Sequence, residues 1–326
     1  MLAAARPLSI DALEVRPQQL RRSRHREPPG SRRVIYPEVA EAEVVRPGRR
    51  VVTRQATGVR LRVTGPALPS PRATLALTDA LRNAVLKTFD SVQTGRSSVQ
   101  LFGKDRDGRH DDDHGHAHYL AFPSPGATRR ALDTLVVWAP GGLDGPAVEA
   151  LSRVRELWPP RTVGDFQPCR VAVEAVGEAA DVAPELCGTG SLPAVRPDAR
   201  RWRSFTPYAP PRHVRRQPSW LAHAEAYLRR DLAAAEKPPP VIVRPIVGVA
   251  GADATGPHNG RGGGGGGSSE PWLAFRRHRT KERLENARRA TGFEIEFAEP
   301  VEGPLCLGAL RHLGLGLFLP IADDNG

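Results

Sequence analysis

The sequence predicts an α+β fold with two consecutive domains, and three observations support that prediction. The chain has 326 residues, which is enough for two domains with hydrophobic cores. Between residues 58 and 183, hydrophobic periods follow the order strand, helix, strand, strand, helix, strand. A second, less regular set of segments follows a proline-rich connector at 184–200. The first order is that of a split βαβ unit, which is also the plan of RNA-binding sheets.

Each element of the first domain, 58–183, rests on a hydrophobic pattern. Valine and leucine alternate with arginine over 59–63, which predicts a half-buried strand. Apolar residues recur at every fourth position over roughly 73–90, which predicts a helix. Asp144 stands where it can cap a second helix, whose apolar residues run from 148 to 157. The other predicted elements are strands at 114–122, 135–138 and 169–173.

The second domain, 201–319, is predicted to begin with a strand at 202–207 and a helix at 219–235. Pro245 places the strand predicted at 241–249 at a sheet edge, because proline cannot donate a ladder hydrogen bond. The segment 272–290 is compatible with one helix or with a strand followed by a helix. The remaining predictions are a disordered glycine-rich loop at 251–269, a strand at 293–297, a basic arm at 1–57 and a tail at 320–326.

The composition favours an anionic partner. The formal net charge is +11 and the isoelectric point is near 10.5, which suggests nucleic acid. Arginine, which binds phosphate through two parallel hydrogen bonds, supplies nearly all of the 47 basic residues. The 3 cysteines are widely spaced, which argues against a disulfide framework or a thiolate zinc site. No long apolar run and no signal peptide are recognisable, so the sequence predicts a cytoplasmic protein without a membrane partner.

A row of histidines forms the densest group of titratable side chains. His114, His116 and His118 follow one another at two-residue spacing, so in an extended strand they share one face with Leu120 and Phe122. The row could be catalytic, could be structural or touch RNA, or could bind a metal together with the preceding aspartates. No second cluster at metal-ligand spacing appears, and the sequence therefore predicts no metal site and no cofactor.

A basic run and one lysine are candidates for phosphate contact. The run contains Arg212, His213, Arg215 and Arg216, and its alternative interpretation is a solvated turn. His213 could instead be a catalytic partner of the histidine row. Lys104, in the loop before that row, could also touch phosphate or simply be solvated.

The segment 302–318 contains four glycines whose spacing would let backbone amides approach a ligand closely. It lacks the Lys-Ser/Thr ending of a P-loop and does not join a strand to a helix, so it is not a nucleotide-binding fingerprint. The alternative is a tight β-hairpin with a purely structural role. The candidates for RNA contact are Gly303, Gly308, Arg311, Gly314 and Gly316, and His312 is a further catalytic candidate.

Several of these segments resemble one CRISPR-associated family. The motifs are Gly-Lys-Asp-x-Asp-Gly at 103–108, the histidine row with its following Tyr-Leu at 114–120, Leu-Val-Val-Trp-Ala-Pro-Gly-Gly-Leu at 135–143, Thr-Pro-Tyr-Ala-Pro-Pro-Arg-His at 206–213, and the glycine segment at 303–318. The family is the fused backbone and repeat-processing subunit of type I-U (I-G) CRISPR effector complexes, within the RAMP superfamily. The resemblance implies tandem ferredoxin-like, RRM-like domains with a C-terminal glycine-rich hairpin. It also implies that residues 1–57 are the remnant of a further RAMP domain.

The resemblance further implies metal-independent cleavage of precursor CRISPR RNA within its repeats. In that reaction the 2′-hydroxyl attacks the adjacent phosphate and leaves a 2′,3′-cyclic phosphate and a 5′-hydroxyl. Histidine suits the proton transfers because its pKa lies near neutral pH, and arginine suits the phosphate charge. His116 and His114 match the family motif, whereas His118 falls at a variable position. The expected partners are CRISPR repeat RNA and the other subunits of a type I effector complex.

Two other functions remain open from the sequence. The chain could be a non-catalytic subunit that binds CRISPR RNA and assists assembly, with the histidines in a structural role. Alternatively, it could be a metal-dependent hydrolase that uses the His-x-His pattern as ligands.

Overall fold

The computed structural model divides the chain into two compact units, residues 1–54 and 55–326. In the first unit, β1 (Leu2–Ala3) pairs antiparallel with β2 (Arg32–Arg33). Three predicted segments lie largely outside the described residues: the basic arm at 1–57, of which only 2–3, 18, 22, 32–33 and 55–57 are described, the loop at 251–269, and the tail after residue 321. The described residues are 2–3, 18, 22, 32–33, 55–93, 98–103, 115–124, 131–159, 166–188, 199–211, 219–246, 248–249, 270–277 and 289–321.

A five-stranded antiparallel sheet forms the first half of the second unit. Its strands lie in the order β4-β5-β3-β7-β6, so the first long strand lies between the third and the fourth. This is the split βαβ arrangement, and it confirms the predicted α+β fold. The elements are β3 (Ala56–Thr64), α1 (Thr74–Val92), α2 (Val99–Phe102), β4 (His118–Phe122), β5 (Thr134–Leu143), α3 (Gly145–Arg153), β6 (Glu156–Leu157), β7 (Cys169–Gly177), α4 (Ala179–Val182) and α5 (Pro184–Cys187).

A second five-stranded antiparallel sheet follows, with the strand order β13-β14-β8-β12-β9. Its long strands repeat the order of the first sheet, and β9 with Pro245 lies at an edge, as predicted. Two short strands pair separately as β10 and β11. The elements are β8 (Arg201–Ser204), α6 (Trp220–Ala234), β9 (Ile242–Ile246), β10 (Gly248–Val249), β11 (Glu270–Pro271), β12 (Gly292–Glu296), β13 (Leu305–Cys306) and β14 (Leu317–Pro320).

The hydrophobic patterns explain most of these elements. Val59, Leu61 and Val63 are buried on one face of β3, as their alternation predicts. The helix predicted at 73–90 is α1, and its apolar stripe is buried. The Asp144 carboxylate accepts a hydrogen bond from the backbone N–H of Ala147 at 2.8 Å, which confirms the predicted cap of α3.

Several elements differ from the predictions in their bounds or their type. The helix α3 ends at Arg153, because Val154 takes an extended backbone and the chain then joins β6. The opening strand of the second half ends at Ser204 rather than 207. The predicted connector begins with the buried turn α5, and Trp272–Ala274 forms a 3₁₀ turn.

The histidine strand also starts later than predicted. The strand β4 begins at His118 and not at residue 114. The preceding backbone is bonded elsewhere: the N–H of Ala117 donates to Gln100 in α2, and Gly115 accepts from Gly141. Because His116 lies in this bend, the two-residue alternation does not apply to it.

The two halves share an apolar core. Leu120 and Phe122 of β4 are fully buried, and their core cluster also contains Leu313, Leu315 and Leu317 from the C-terminal segment. The loop between β13 and β14 packs on β4 and on α1. The face of the first sheet that carries Leu120 and Phe122 is therefore occupied by protein, and these side chains cannot stack on RNA bases.

Candidate active site

The loop between β13 and β14, residues 307–316, presents the late histidine. Leu310 has a left-handed backbone with φ of +61°, and it is followed by the 3₁₀ turn Arg311–Leu313. Gly316 has φ of +64°, and a Cβ there would collide with the backbone oxygen of Leu307. Leucine rarely adopts a left-handed backbone, which is common only for glycine and asparagine. The surrounding packing therefore holds this turn in place.

Two buried threonines, one from each half, anchor this loop. The Thr78 hydroxyl in α1 donates to the carbonyl of Leu313 at 2.7 Å. The Thr206 hydroxyl donates to the carbonyl of Gly314 at 2.7 Å, and it accepts from the backbone N–H of Leu317 at 2.9 Å. Each buried hydrogen bond contributes about 0.5–1.5 kcal/mol and leaves a costly unsatisfied group if one partner is removed. The loop is thereby fixed against the first half of the unit.

As a result, three imidazole rings meet between the two halves. The His312 ring stacks on that of His116, with centroids 3.9 Å apart and planes inclined at 24°. It also contacts the ring of His118, with centroids 4.1 Å apart and planes inclined at 47°. We refer to His116, His118 and His312 as the imidazole cluster.

Within the cluster, His118 is the inner ring. Its residue is only 5% exposed, and it packs against its cross-strand partner Trp138 at a centroid distance of 4.8 Å. Burial lowers the pKa of His118 well below its ordinary range, and the charges of His312 and Arg311 lower it further. A backbone hydrogen bond with Arg311 opposes this shift. His118 is therefore a neutral imidazole at neutral pH and cannot serve as a general acid there.

The other two rings, those of His116 and His312, are partly exposed and can reach a bound molecule. The His116 ring lies over Gly103, where a Cβ would come within 2.8 Å of it. Gly103 has φ of +66° and closes α2, so a glycine there both ends the helix and leaves room for the ring.

A cation stands next to the cluster. The Nε atom of Arg311 donates to Nε2 of His312 at 3.5 Å. Because a guanidinium can only donate, Nε2 of His312 is the acceptor in this contact. Arg311 also acts on a carboxyl group in α6: burial raises the pKa of Asp231, while a hydrogen bond from Tyr208 and the charge of Arg311 oppose that rise.

These groups can support general acid–base chemistry on a phosphate. Imidazole is the side chain best suited to proton transfer near neutral pH, and such transfer typically contributes about 10²- to 10⁴-fold in rate. His116 and His312 are the two partly exposed imidazoles of the cluster. The guanidinium can stabilise negative charge on phosphate oxygens. The described part of the chain shows no group of three or more His, Cys, Asp or Glu residues placed to hold a metal ion.

The structure brings together only part of the set predicted from sequence. His116, His118, His312 and Arg311 converge, although they come from two distant segments. Tyr119 is buried on the opposite face of β4, as expected, and its hydroxyl donates to the carbonyl of Leu101. Predicted site residues that lie outside the described residues are Lys104, His114, Arg212, His213, Arg215 and Arg216.

The four predicted glycines lie in or beside the C-terminal hairpin, where they face the protein's own atoms. A Cβ on Gly308 would meet the backbone of Ala209, and one on Gly303 would meet the backbone of Leu186. The tight packing of Gly314 and Gly316 against neighbouring atoms likewise gives these glycines a structural role. Their contact with RNA stays a prediction.

Sequence reasoning did not identify which groups support the cluster. Gly103, Trp138 and Thr206 lie within motifs of the family resemblance without a predicted role there, and Thr78 lies outside those motifs. A signal for Thr78 existed in the helical pattern. It follows Leu77 and precedes Leu81 by three residues, so it lies on the buried face of α1, where a hydroxyl needs a partner.

No helix in the described ranges is long and apolar enough to cross a membrane.

No protein-family model and no curated protein matches the sequence. Among solved structures, the chain is similar to a RAMP protein binding different RNA substrates, with 9% identity, a TM-score of 0.35, and coverage of 82% of this chain and 100% of that one. It is also similar to Csf5, a CRISPR-Cas type IV Cas6 crRNA endonuclease, with 12% identity, a TM-score of 0.31 and the same coverages of 82% and 100%. TM-scores of this size do not establish a common fold or function.

Proposed function

We propose that this chain is an endoribonuclease that cleaves precursor CRISPR RNA within its repeats and retains the product in a type I effector complex. The observation that carries the proposal is the stacking of His312 on His116, at a centroid distance of 3.9 Å, beside the guanidinium of Arg311. The RNA substrate is inferred from the sequence resemblance. The division into two domains, 58–183 and 201–319, is part of the same proposal.

The proposed reaction is an in-line transesterification. One accessible imidazole takes the proton of the 2′-hydroxyl while the 2′-oxygen forms a bond to the adjacent phosphorus. The bond from phosphorus to the 5′-oxygen breaks, and the second imidazole donates a proton to that oxygen. The products are a 2′,3′-cyclic phosphate and a 5′-hydroxyl. His116 and His312 share the acid and base roles in this scheme.

The remaining charged and buried groups support these two rings. Arg311 is placed to hold a non-bridging phosphate oxygen, where a cation offsets the growing negative charge. Neutral His118 packs behind His312 and fixes its orientation. If within reach of the cluster, His114 and the basic run at 212–216 would extend the RNA contacts. The hairpin glycines would contribute through the hairpin that they close, because the backbone N–H groups of Gly303, Gly314 and Gly316 already donate to carbonyls of the protein.

The test is incubation of the purified chain with CRISPR repeat RNA in EDTA. Cleavage that yields a cyclic phosphate supports the proposal, and substrate with a 2′-deoxy group at the cut site should resist. RNA binding without cleavage at any protein concentration would instead favour a non-catalytic assembly subunit. Activity that EDTA abolishes and zinc or manganese restores would favour a metal-dependent hydrolase.

A further inference from the structure

A groove lies along α1, and none of the residues that line it belongs to the imidazole cluster. It has a volume of about 580 Å³ and lies between α1 and the segment that runs from the end of α3 through β6. On the helix wall, Asn83, Lys87 and Ser91 follow one another at four-residue spacing and are exposed. Small alanines at 80 and 84 on the same wall leave the space open.

The opposite wall carries an aromatic ring and cations. Trp158 is 64% exposed, an unusual state for a side chain of that size. Arg155 lies close by in sequence, and its guanidinium is held by the carbonyls of Ser152 and Val154. An exposed indole that lines the same groove as a fixed guanidinium is suited to stacking on a flat ring.

The charges of the groove select an anion. Lys87, Arg153 and Arg155 are exposed there, but Arg153 forms an ion pair with the glutamate one turn earlier in α3, which leaves Lys87 and Arg155 for a ligand. The carboxylate-bearing Asp79 is 5% exposed and does not face the solvent. Glu156 is the one exposed acid among the residues that line it. Exposed cations therefore outnumber exposed acids in a groove that also offers an aromatic face and an amide.

We infer that this groove binds single-stranded RNA, with a base stacked on Trp158 and phosphates held by Lys87 and Arg155. Stacking on aromatic side chains and neutralisation of the backbone by cations are the two sources of affinity in such sites, and stacking contributes about 1–3 kcal/mol per base. The inference rests on the proposed RNA substrate but not on cleavage. It adds an RNA contact made by residues outside the imidazole cluster.

The first test measures binding of a labelled oligouridylate to the full chain by fluorescence anisotropy. Trp158→Ala should weaken binding by roughly 5- to 150-fold, which corresponds to the loss of one stacked base. Trp158→Phe should keep part of the affinity, because a smaller aromatic face remains. Leu273→Ala, at another exposed apolar side chain, serves as the control and should bind as the wild type does.

The second test concerns the phosphates. Lys87→Ala with Arg155→Ala should lower the slope of log affinity against log salt by about 1.4, because about 0.7 is lost per phosphate contact on a single strand. Arg230→Ala with Arg244→Ala removes the same charge from exposed positions in the second half, outside the groove, and should leave the slope unchanged.

The inference is overturned if Trp158→Ala binds the oligonucleotide like the wild type, or if both double variants change the slope equally. In that case the groove is not an RNA site. Because anisotropy needs no cleavage, an inactive wild-type protein would refute the proposed nuclease while leaving this binding test intact.

Discussion

The His312 ring stacks on the His116 ring with centroids 3.9 Å apart, although the two residues belong to opposite halves of the compact unit. The contact exists because the loop of the C-terminal hairpin packs on β4 and α1. The cluster is therefore a product of tertiary packing, and its chemistry should respond to changes in the loop that do not touch the rings.

The hydroxyl of Thr78 is one such remote support. In Thr78→Val the carbonyl of Leu313 loses its buried partner, which should lower the free energy of unfolding by about 1–3 kcal/mol. The displaced His312 should also slow cleavage by roughly 10-fold at saturating RNA, since misplacement of catalytic groups by fractions of an ångström is costly. Single-turnover kinetics and urea unfolding measure the two effects.

The control lies on the same helix. Within the part of the chain that the structure describes, the hydroxyl of Thr88 donates to the carbonyl of Ala84 one turn earlier and to no residue of the loop. Thr88→Val should therefore leave the cleavage rate at saturating RNA unchanged. Equal rates for the two valine variants would show that the Thr78 hydrogen bond does not position the loop.

The backbone of the loop gives a second prediction. Gly316→Ala should destabilise the protein by more than about 2 kcal/mol, because the left-handed backbone is unfavourable for alanine and the added carbon meets Leu307. Gly145→Ala is the matched control: nothing lies within 4 Å of a Cβ there, and alanine is the better helix former. Urea unfolding should show loss for the first variant and no loss for the second. Comparable stabilities would contradict the observed loop geometry.

The buried state of His118 predicts a pH dependence of stability. In the unfolded chain this imidazole binds a proton as the pH falls through about 6.5, whereas in the folded protein its pKa lies well below that value. The unfolded state therefore gains the proton first. The free energy of unfolding should fall as the pH drops below about 6.5, by up to about 1.4 kcal/mol per pH unit.

Replacement of the titrating group checks this dependence. His118→Gln keeps a polar side chain but cannot titrate. It should therefore reduce the slope of the free energy of unfolding against pH by up to about 1.4 kcal/mol per pH unit, the contribution of one proton. Thr88→Val alters no titratable group and should retain a slope close to that of the wild type. Identical slopes in all three proteins would mean that His118 is not held neutral by the fold.

Local patterns in the sequence predicted much of the fold. The alternation at 59–63, the four-residue period of α1 and the Asp144 cap depend on neighbours along the chain, and each appears in the structure. Boundaries were less predictable, because β4 starts where the backbone of Ala117 leaves the ladder to bond with α2. That hydrogen bond depends on a contact between distant segments.

The site was predictable only as separate pieces. Spacing singled out His116 and His118, and glycine content drew attention to the segment that carries Arg311 and His312. Their convergence depends on a left-handed turn at Leu310, on bonds from threonines of both halves and on burial of the hairpin against β4. None of these is encoded in a local pattern, so sequence alone could not pair His312 with His116.

The most direct test of the account is the single-turnover cleavage rate of repeat RNA, in EDTA, for His116→Ala and His312→Ala. Each variant should cleave at least about 10²-fold more slowly than the wild type while binding RNA with similar affinity, because each loses a proton-transfer group and little else. His223→Ala, a buried histidine outside the cluster, should cleave within a few-fold of the wild-type rate. Wild-type rates in both cluster variants would contradict the account.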